Sequence, residues 1–181
     1  MEKDLQRARK ALDEYRSILL RELNSLDHVL ECSLENYDSM IDFAIEKGFE
    51  RVVDIGCAYG HQAELCKGRI RYKGINEDTL NFYFNHYRKI TYEVEKYPFP
   101  NPYNCFKEDL AISNLAIGWQ CYVNENECRK QFQALSKDFK ASLLYLPAER
   151  EELLKECFKY VEVIKKNDGE LISSGLYYCY N

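Results

Sequence analysis

The sequence predicts an α/β fold built on a largely parallel sheet, and three observations carry that prediction. Short apolar strand patterns alternate with polar or helical stretches from residue 51 onward. The first of them, Arg51-Val52-Val53-Asp54-Ile55, runs directly into glycines and then a helical stretch. The last two are joined by Asn167-Asp168-Gly169, a hairpin signal, so the parallel units close with an antiparallel pair.

Taken in chain order, the first element is a long helix. Leu5, Ala8, Leu12, Tyr15, Leu19, Leu23, Leu26 and Leu30 recur at three- and four-residue spacing, which lines them along one face. A second helix is predicted by Tyr37, Met40, Ile41, Ala44 and Ile45, with Gly48 as its terminator because glycine tolerates the positive φ of a helix end. Strands follow near 51–55, 71–75, 91–96, 109–115, 141–146, 159–166 and 171–180. Helices are expected at 60–67, 78–89, 124–137 and 148–157. Pro147 and the acids Glu149, Glu151 and Glu152 suit the amino end of the last one, where free N–H groups favour negative charge. No internal repeat, low-complexity stretch or flexible linker interrupts this order. The division it suggests is an amino-terminal helical extension over 1–35 and one α/β domain over 36–181.

Composition narrows the function. The chain of 181 residues is 46% hydrophobic and 30% charged, values of a compact domain rather than of a disordered or collagenous one. Its 25 Lys and Arg stand against 30 Asp and Glu, a net charge of -5 with no cationic run, which argues against a general nucleic-acid or anionic-membrane partner. Eight cysteines, at 32, 57, 66, 105, 121, 128, 157 and 179, form no C-x-x-C pair, and with three histidines they make no zinc framework. No metal is expected. The charged start, Met1-Glu2-Lys3-Asp4, is unlike a signal peptide, and no stretch approaches the ~18 apolar residues of a membrane span. The expectation is a cytoplasmic protein with reduced thiols.

The stretch richest in chemistry is Val52-Val53-Asp54-Ile55-Gly56-Cys57-Ala58-Tyr59-Gly60-His61-Gln62. Glycines between a buried strand and a helix let backbone N–H groups approach a ligand closely. Tyr72-Lys73-Gly74-Ile75-Asn76-Glu77 then forms a second strand ending in polar groups able to accept hydrogen bonds from ribose hydroxyls. Together they describe one nucleoside-shaped site.

On these residues the sequence resembles the class I, Rossmann-like S-adenosylmethionine-dependent methyltransferases, whose first motif is an acid followed by alternating glycines after the first strand. Asp54, Gly56 and Gly60 match it, and Asp109-Leu-Ala-Ile-Ser-Asn-Leu-Ala-Ile-Gly-Trp119 is similar to the family's fourth strand and following segment. The resemblance covers ~36–181 and implies three layers around a seven-stranded sheet of order 3-2-1-4-5-7-6, with the seventh strand antiparallel. It implies S-adenosylmethionine as cofactor. Asp54 would orient the turn and reach the methionine amino group directly or through water, while the backbone from Gly56 through Cys57, Ala58 and Tyr59 to Gly60 would line the methionine and ribose. Asn76 and Glu77 would hold the ribose, Asn114 would face the methyl side of the cleft, and Trp119 or Tyr122 would wall the substrate. Methyl transfer from a sulfonium needs alignment and exclusion of water more than a general base, so no catalytic residue is assigned.

The chain departs from the family in three places. Ala58 replaces the middle glycine, Asn76 stands where a ribose-binding acid is usual, and Tyr92-Glu93-Val94-Glu95-Lys96-Tyr97-Pro98 offers no clear adenine-side acid. These keep open a second reading, a catalytically inactive methyltransferase-like module that binds a protein. An NAD oxidoreductase is weaker, because the turn lacks G-x-G-x-x-G and the closing hairpin is foreign to that class. His61 reads as an exposed or capping residue, and Cys57 as a small packing residue rather than an activated thiol. The aromatic run between Phe82 and Phe106 lacks basic interleaving and reads as packing, not base stacking. Asn101-Pro102-Tyr103 is similar to a DNA amino-methylation signature but precedes the fourth strand, where Ser113-Asn114-Leu115-Ala116 would be the relevant stretch. The amino-terminal stripe packs on its own domain, covers the cleft as a lid, or pairs with a second copy in a homodimer. The methyl acceptor expected is a small molecule or a protein side chain.

Overall fold

The structure is a computed structural model that describes residues 27–57, 60, 62–76, 92–94, 97–98, 106–114, 116–118, 124–167 and 173–181, with 27–33 and 92–94 as backbone only. Four further helical positions, 6, 9, 10 and 13, are described near the start. The rest of the amino-terminal stripe and the helix expected at 78–89 lie outside the described residues.

The first described helix, α1 (Asp27–Glu46), buries Leu34, Tyr37, Met40, Ile41 and Ala44 on one face. Ile45, counted with that face in the sequence, is 39% exposed, because a helix turns by about 100° per residue and carries it off the stripe. The helix runs unbroken through residue 35, so the expected boundary between extension and domain falls inside it. Its end is a Schellman motif on Gly48 (φ 77°), with Gly48 N–H donating to Ile45 O at 3.0 Å and Phe49 N–H to Ala44 O at 3.0 Å.

The strands are β1 (Arg51–Ile55), β2 (Arg71–Asn76), β3 (Tyr92–Val94), β4 (Leu110–Asn114), β5 (Ala141–Pro147), β6 (Tyr160–Asn167) and β7 (Ser174–Tyr180). They form one sheet of order β3-β2-β1-β4-β5-β7-β6. All neighbours from β3 to β5 are parallel, and β7 runs antiparallel to both β5 and β6. The carboxyl ends of β1, β2 and β4 therefore open on the same edge of the sheet, with β1 central between the other two.

Alternation along each strand supplies two cores. Val52, Leu110, Ile112, Leu143 and Leu176 face α1 and the one-turn helix α2 (Ala63–Cys66). Val53, Ile55, Ala111, Leu144, Leu146 and Tyr177 face α3 (Glu125–Asp138) and α4 (Glu151–Cys157). Sequence alternation of period two inside a buried sheet produces this two-sided burial. Phe132, on α3, has no exposed surface, and its ring would meet a Cβ added to Gly118 at 3.1 Å. Phe132→Ala is expected to cost about 3–5 kcal/mol in urea unfolding, through lost burial and the cavity left behind.

Two sequence expectations shift. The helix at 60–67 contracts to Ala63–Cys66, because Gly60 and Gly68 both take positive φ and close it at either end. The helix at 148–157 begins as a 3-10 turn, Ala148–Arg150, with Ala148 N–H tied to Ser173 O at 2.9 Å. The closing strands pair antiparallel as expected, up to Asn167 opposite Ser174, and residues 168–172, where the turn signal falls, lie outside the described residues.

Candidate functional site

The glycine turn is held from two sides. From β2, the Ile75 carbonyl accepts from Gly56 N–H at 2.8 Å and Cys57 N–H at 3.2 Å, and a Cβ on Gly74 would meet Cys57 Sγ at 2.7 Å. From the far end of β4, Ser113 Oγ donates to Ile55 O at 3.0 Å and accepts from Ile117 N–H at 3.1 Å, which folds Ala116 over the turn. A Cβ on Gly56 would lie 2.2 Å from Ala116 Cβ, and Gly56 also takes φ 79°. Glycine is therefore required at 56 for backbone and for space. Gly60 (φ 61°) donates to Cys57 O at 2.9 Å. The Gly56, Cys57 and Gly60 amides are thus all taken up inside the protein, where the sequence suggested N–H groups turned to a ligand.

Beneath the turn lies a buried polar cluster. Asp54 has no exposed surface. Tyr37 Oη of α1 donates to its Oδ1 at 3.1 Å, Tyr72 Oη of β2 donates to its Oδ2 at 2.9 Å, and Gln62 Nε2 also donates to Oδ2. Gln62 Nε2 reaches Cys57 O at 2.9 Å and Tyr72 Oη at 3.2 Å as well. The backbone of Asn114 bonds Tyr37, which brings the end of β4 into the same cluster. Among the described residues no cation pairs with Asp54.

Electrostatics follow from this burial. Loss of solvent pushes the Asp54 carboxyl up to about 6, against the opposing pull of the donors Gln62, Tyr72 and Tyr37. Burial and the negative field of Asp54 in turn raise Tyr37, Tyr72 and Cys57 well above their ordinary ranges. The Cys57 thiol is protonated and buried, as a packing residue should be.

Of the residues singled out in the sequence, Asp54, Gly56, Cys57 and Gly60 meet at the end of β1, with Asn76 half-buried at the end of neighbouring β2. Asn114 ends β4 nearly buried, and its Oδ1 accepts from Asn36 Nδ2 of α1 at 3.4 Å. Ala58, Tyr59, His61, Glu77, Trp119 and Tyr122 lie outside the described residues. Sequence reading missed Tyr37, Gln62, Tyr72, Ser113 and Ala116. A signal existed for two of them: tyrosine hydroxyls on buried faces must find a partner, and Asp54 was the nearest polar group in the same layer. Among the described residues no three His, Cys, Asp or Glu side chains gather as a metal site, and no helix is long and apolar enough to cross a membrane.

Solved structures share this fold across most of the chain. Magnesium protoporphyrin IX methyltransferase from Synechocystis, with bound S-adenosylmethionine, superposes with a TM-score of 0.68 over 94% of this chain and 91% of its own, at 13% identity. The fold is that of the class I S-adenosylmethionine-dependent methyltransferases. A methyltransferase of that cofactor class from Clostridium acetobutylicum has a TM-score of 0.64 over 96% and 98% of the two chains, at 10% identity. The amino-terminal domain of EvdMO1, with SAH bound, has 0.64 over 80% and 80%, at 8% identity. No protein-family model and no curated protein matches the sequence. At these identities the likeness is one of fold.

Proposed function

We propose that the protein is an S-adenosylmethionine-dependent methyltransferase acting on a small molecule or a protein side chain. The observation that carries the reading is Asp54: a buried carboxylate with no cation beside it among the described residues, set under a glycine turn at the shared carboxyl edge of β1, β2 and β4. That edge, beside the central strand, is where sheets of this kind take nucleotide-like ligands. The residues fit the cofactor. Its amino-acid end carries a cationic ammonium that complements Asp54, and the half-buried Asn76 ends β2 with an amide suited to ribose hydroxyls.

When bound, the cofactor supplies a methyl group on a sulfonium, open to in-line displacement by an acceptor lone pair. Asp54 orients the turn and, being without exposed surface, acts on the ammonium through the turn or through water. Gly56 and Gly60 shape the wall of the crevice. Asn76 with Glu77 holds the ribose, Asn114 closes the methyl side, and Trp119 or Tyr122 walls the acceptor. The amino-terminal stripe covers the cleft or pairs two copies, and the protein works in the cytoplasm, away from nucleic acid and membranes.

A second reading, an inactive methyltransferase-like module that binds a protein, draws support from the turn itself. Its described amides are all internally bonded, and Ala116 fills the space above Gly56. Isothermal titration of the reduced protein with S-adenosylmethionine and with its demethylated product, S-adenosylhomocysteine, separates the two. Saturable micromolar binding, abolished by Gly56→Arg, is the expected result. Absence of heat at several temperatures together with no thermal stabilisation would retire the enzyme reading in favour of the module.

A further inference from the structure

Gln62 joins Asp54, the glycine turn and β2 from a single buried amide. It has no exposed surface, although its neighbours Ala63, Leu65 and Cys66 are the apolar or weakly polar residues expected there. Its Nε2 carries two hydrogens and has three acceptors in reach: Asp54 Oδ2 on β1, Cys57 O in the turn at 2.9 Å, and Tyr72 Oη on β2 at 3.2 Å. Its Oε1 is buried with no donor. An unpaired buried acceptor is unfavourable, and a leucine or methionine would fill the same space without it. What glutamine adds at this position is the pair of N–H donors. Glutamate would lack them and set a second carboxylate against Asp54.

We infer that Gln62 is a positioning residue of the cofactor site, fixing the glycine turn to β1 and β2 by donating from one buried amide to Asp54, to the Cys57 carbonyl and to Tyr72. It touches no ligand itself. It sets the height of the Cys57 carbonyl, whose other partner is Gly60 N–H at 2.9 Å, and so determines where the turn's two positive-φ glycines stand. The ligand named is that of the methyltransferase reading, on which this part of the inference rests; the geometry does not depend on it.

The role also leaves a mark on Asp54. The groups facing that carboxylate are Tyr37 from α1, Tyr72 from β2, Cys57 from the turn and Gln62 ahead of α2, with Asn114 of β4 acting through Tyr37 and Cys66 of α2 within its field. Gln62 is the leading donor that opposes the upward push of burial. Its removal leaves the carboxylate less well solvated, and the midpoint must rise.

The test uses the full chain with carbon-13-labelled aspartate, the Asp54 signal being assigned by its absence in Asp54→Asn. Gln62→Met removes the donors at nearly constant volume. Gln62→Asn, which retracts the amide by one methylene, serves if the methionine variant fails to fold. In the ligand-free protein the Asp54 midpoint is expected to rise by at least one pH unit, and hydrogen exchange of the Gly56, Cys57 and Gly60 amides to quicken at least tenfold. S-adenosylhomocysteine affinity at pH 7.5 is expected to fall at least tenfold, with an unchanged circular dichroism spectrum. An unmoved midpoint with unmoved exchange overturns the inference, as does a moved midpoint with full affinity. If the wild type itself binds no S-adenosylhomocysteine, the methyltransferase reading fails, while midpoint and exchange still decide whether Gln62 fixes the turn.

Discussion

Gly56→Ala is expected to lose about 2–5 kcal/mol of stability, and Ala116→Gly in the same chain to restore about 1–3 kcal/mol of it. Two costs add at this position. The φ of 79° places any L side chain in the left-handed region, at about 1–2 kcal/mol. The new Cβ also stands 2.2 Å from Ala116 Cβ, so the segment after β4 must move, an overpacking penalty of about 1–3 kcal/mol. Only the second cost is relieved by trimming Ala116, and a double-mutant cycle in urea isolates it as a coupling of about 1–3 kcal/mol. Gly48 provides the control. Its φ is 77° but nothing lies within 4 Å of its would-be Cβ, so Gly48→Ala should show the conformational cost alone. Because Ser113 joins the displaced segment to Ile55, the clash opens the site as well as the fold, and cofactor binding should disappear with it. If Ala116→Gly gave no rescue, contact between the turn and that segment would not be what requires glycine at 56.

How far the sequence reaches follows from which forces act locally. The strand Arg51–Ile55 and the helix Glu125–Asp138 are legible almost to the residue, since a buried run into glycine and an Asn124 cap with acids behind it are local signals. The order of the strands, with the last one reversed, was reached through the resemblance rather than through periodicity. The closing hairpin declared itself by a local turn signal, and its strands pair antiparallel from Tyr160 opposite Tyr180 to Asn167 opposite Ser174. In the site, Asp54, Gly56 and Gly60 declare themselves by a motif. Tyr37, Gln62 and Tyr72 carry no motif of their own: Tyr37 passes for one more apolar anchor of α1, and Gln62 and Tyr72 stand beside the motif residues with no role marked by it. Their meaning lies in hydroxyl and amide groups meeting Asp54 from 17, 8 and 18 residues away, which no spacing within one element encodes.

Asp54→Asn should be less stable than the wild type at pH 4 and equally or more stable at pH 8, and on the methyltransferase reading it should bind the cofactor at least tenfold more weakly at pH 8, a gap that closes as pH falls below 6. The sign follows from the carboxyl, which titrates near 6 in the fold and near 3.8 when unfolded. A raised value means that the folded state holds its proton more tightly, so the stabilisation is fully present below 3.8 and is lost as pH rises through 6. The gap corresponds to about 3 kcal/mol, since one unit is about 1.4 kcal/mol. Asparagine carries no such proton, and its amide turns one N–H group toward the donors Tyr37, Tyr72 or Gln62, a fixed cost of about 1–3 kcal/mol at every pH. The difference between the two unfolding free energies should therefore shift by about 2 kcal/mol in favour of asparagine from pH 4 to pH 8, whereas parallel curves would mean that Asp54 does not titrate in this range. On the methyltransferase reading a cationic ligand would supply the missing counter-charge, and its binding to the wild type should weaken as pH falls below 6, when a proton on Asp54 takes the place of the ammonium's field.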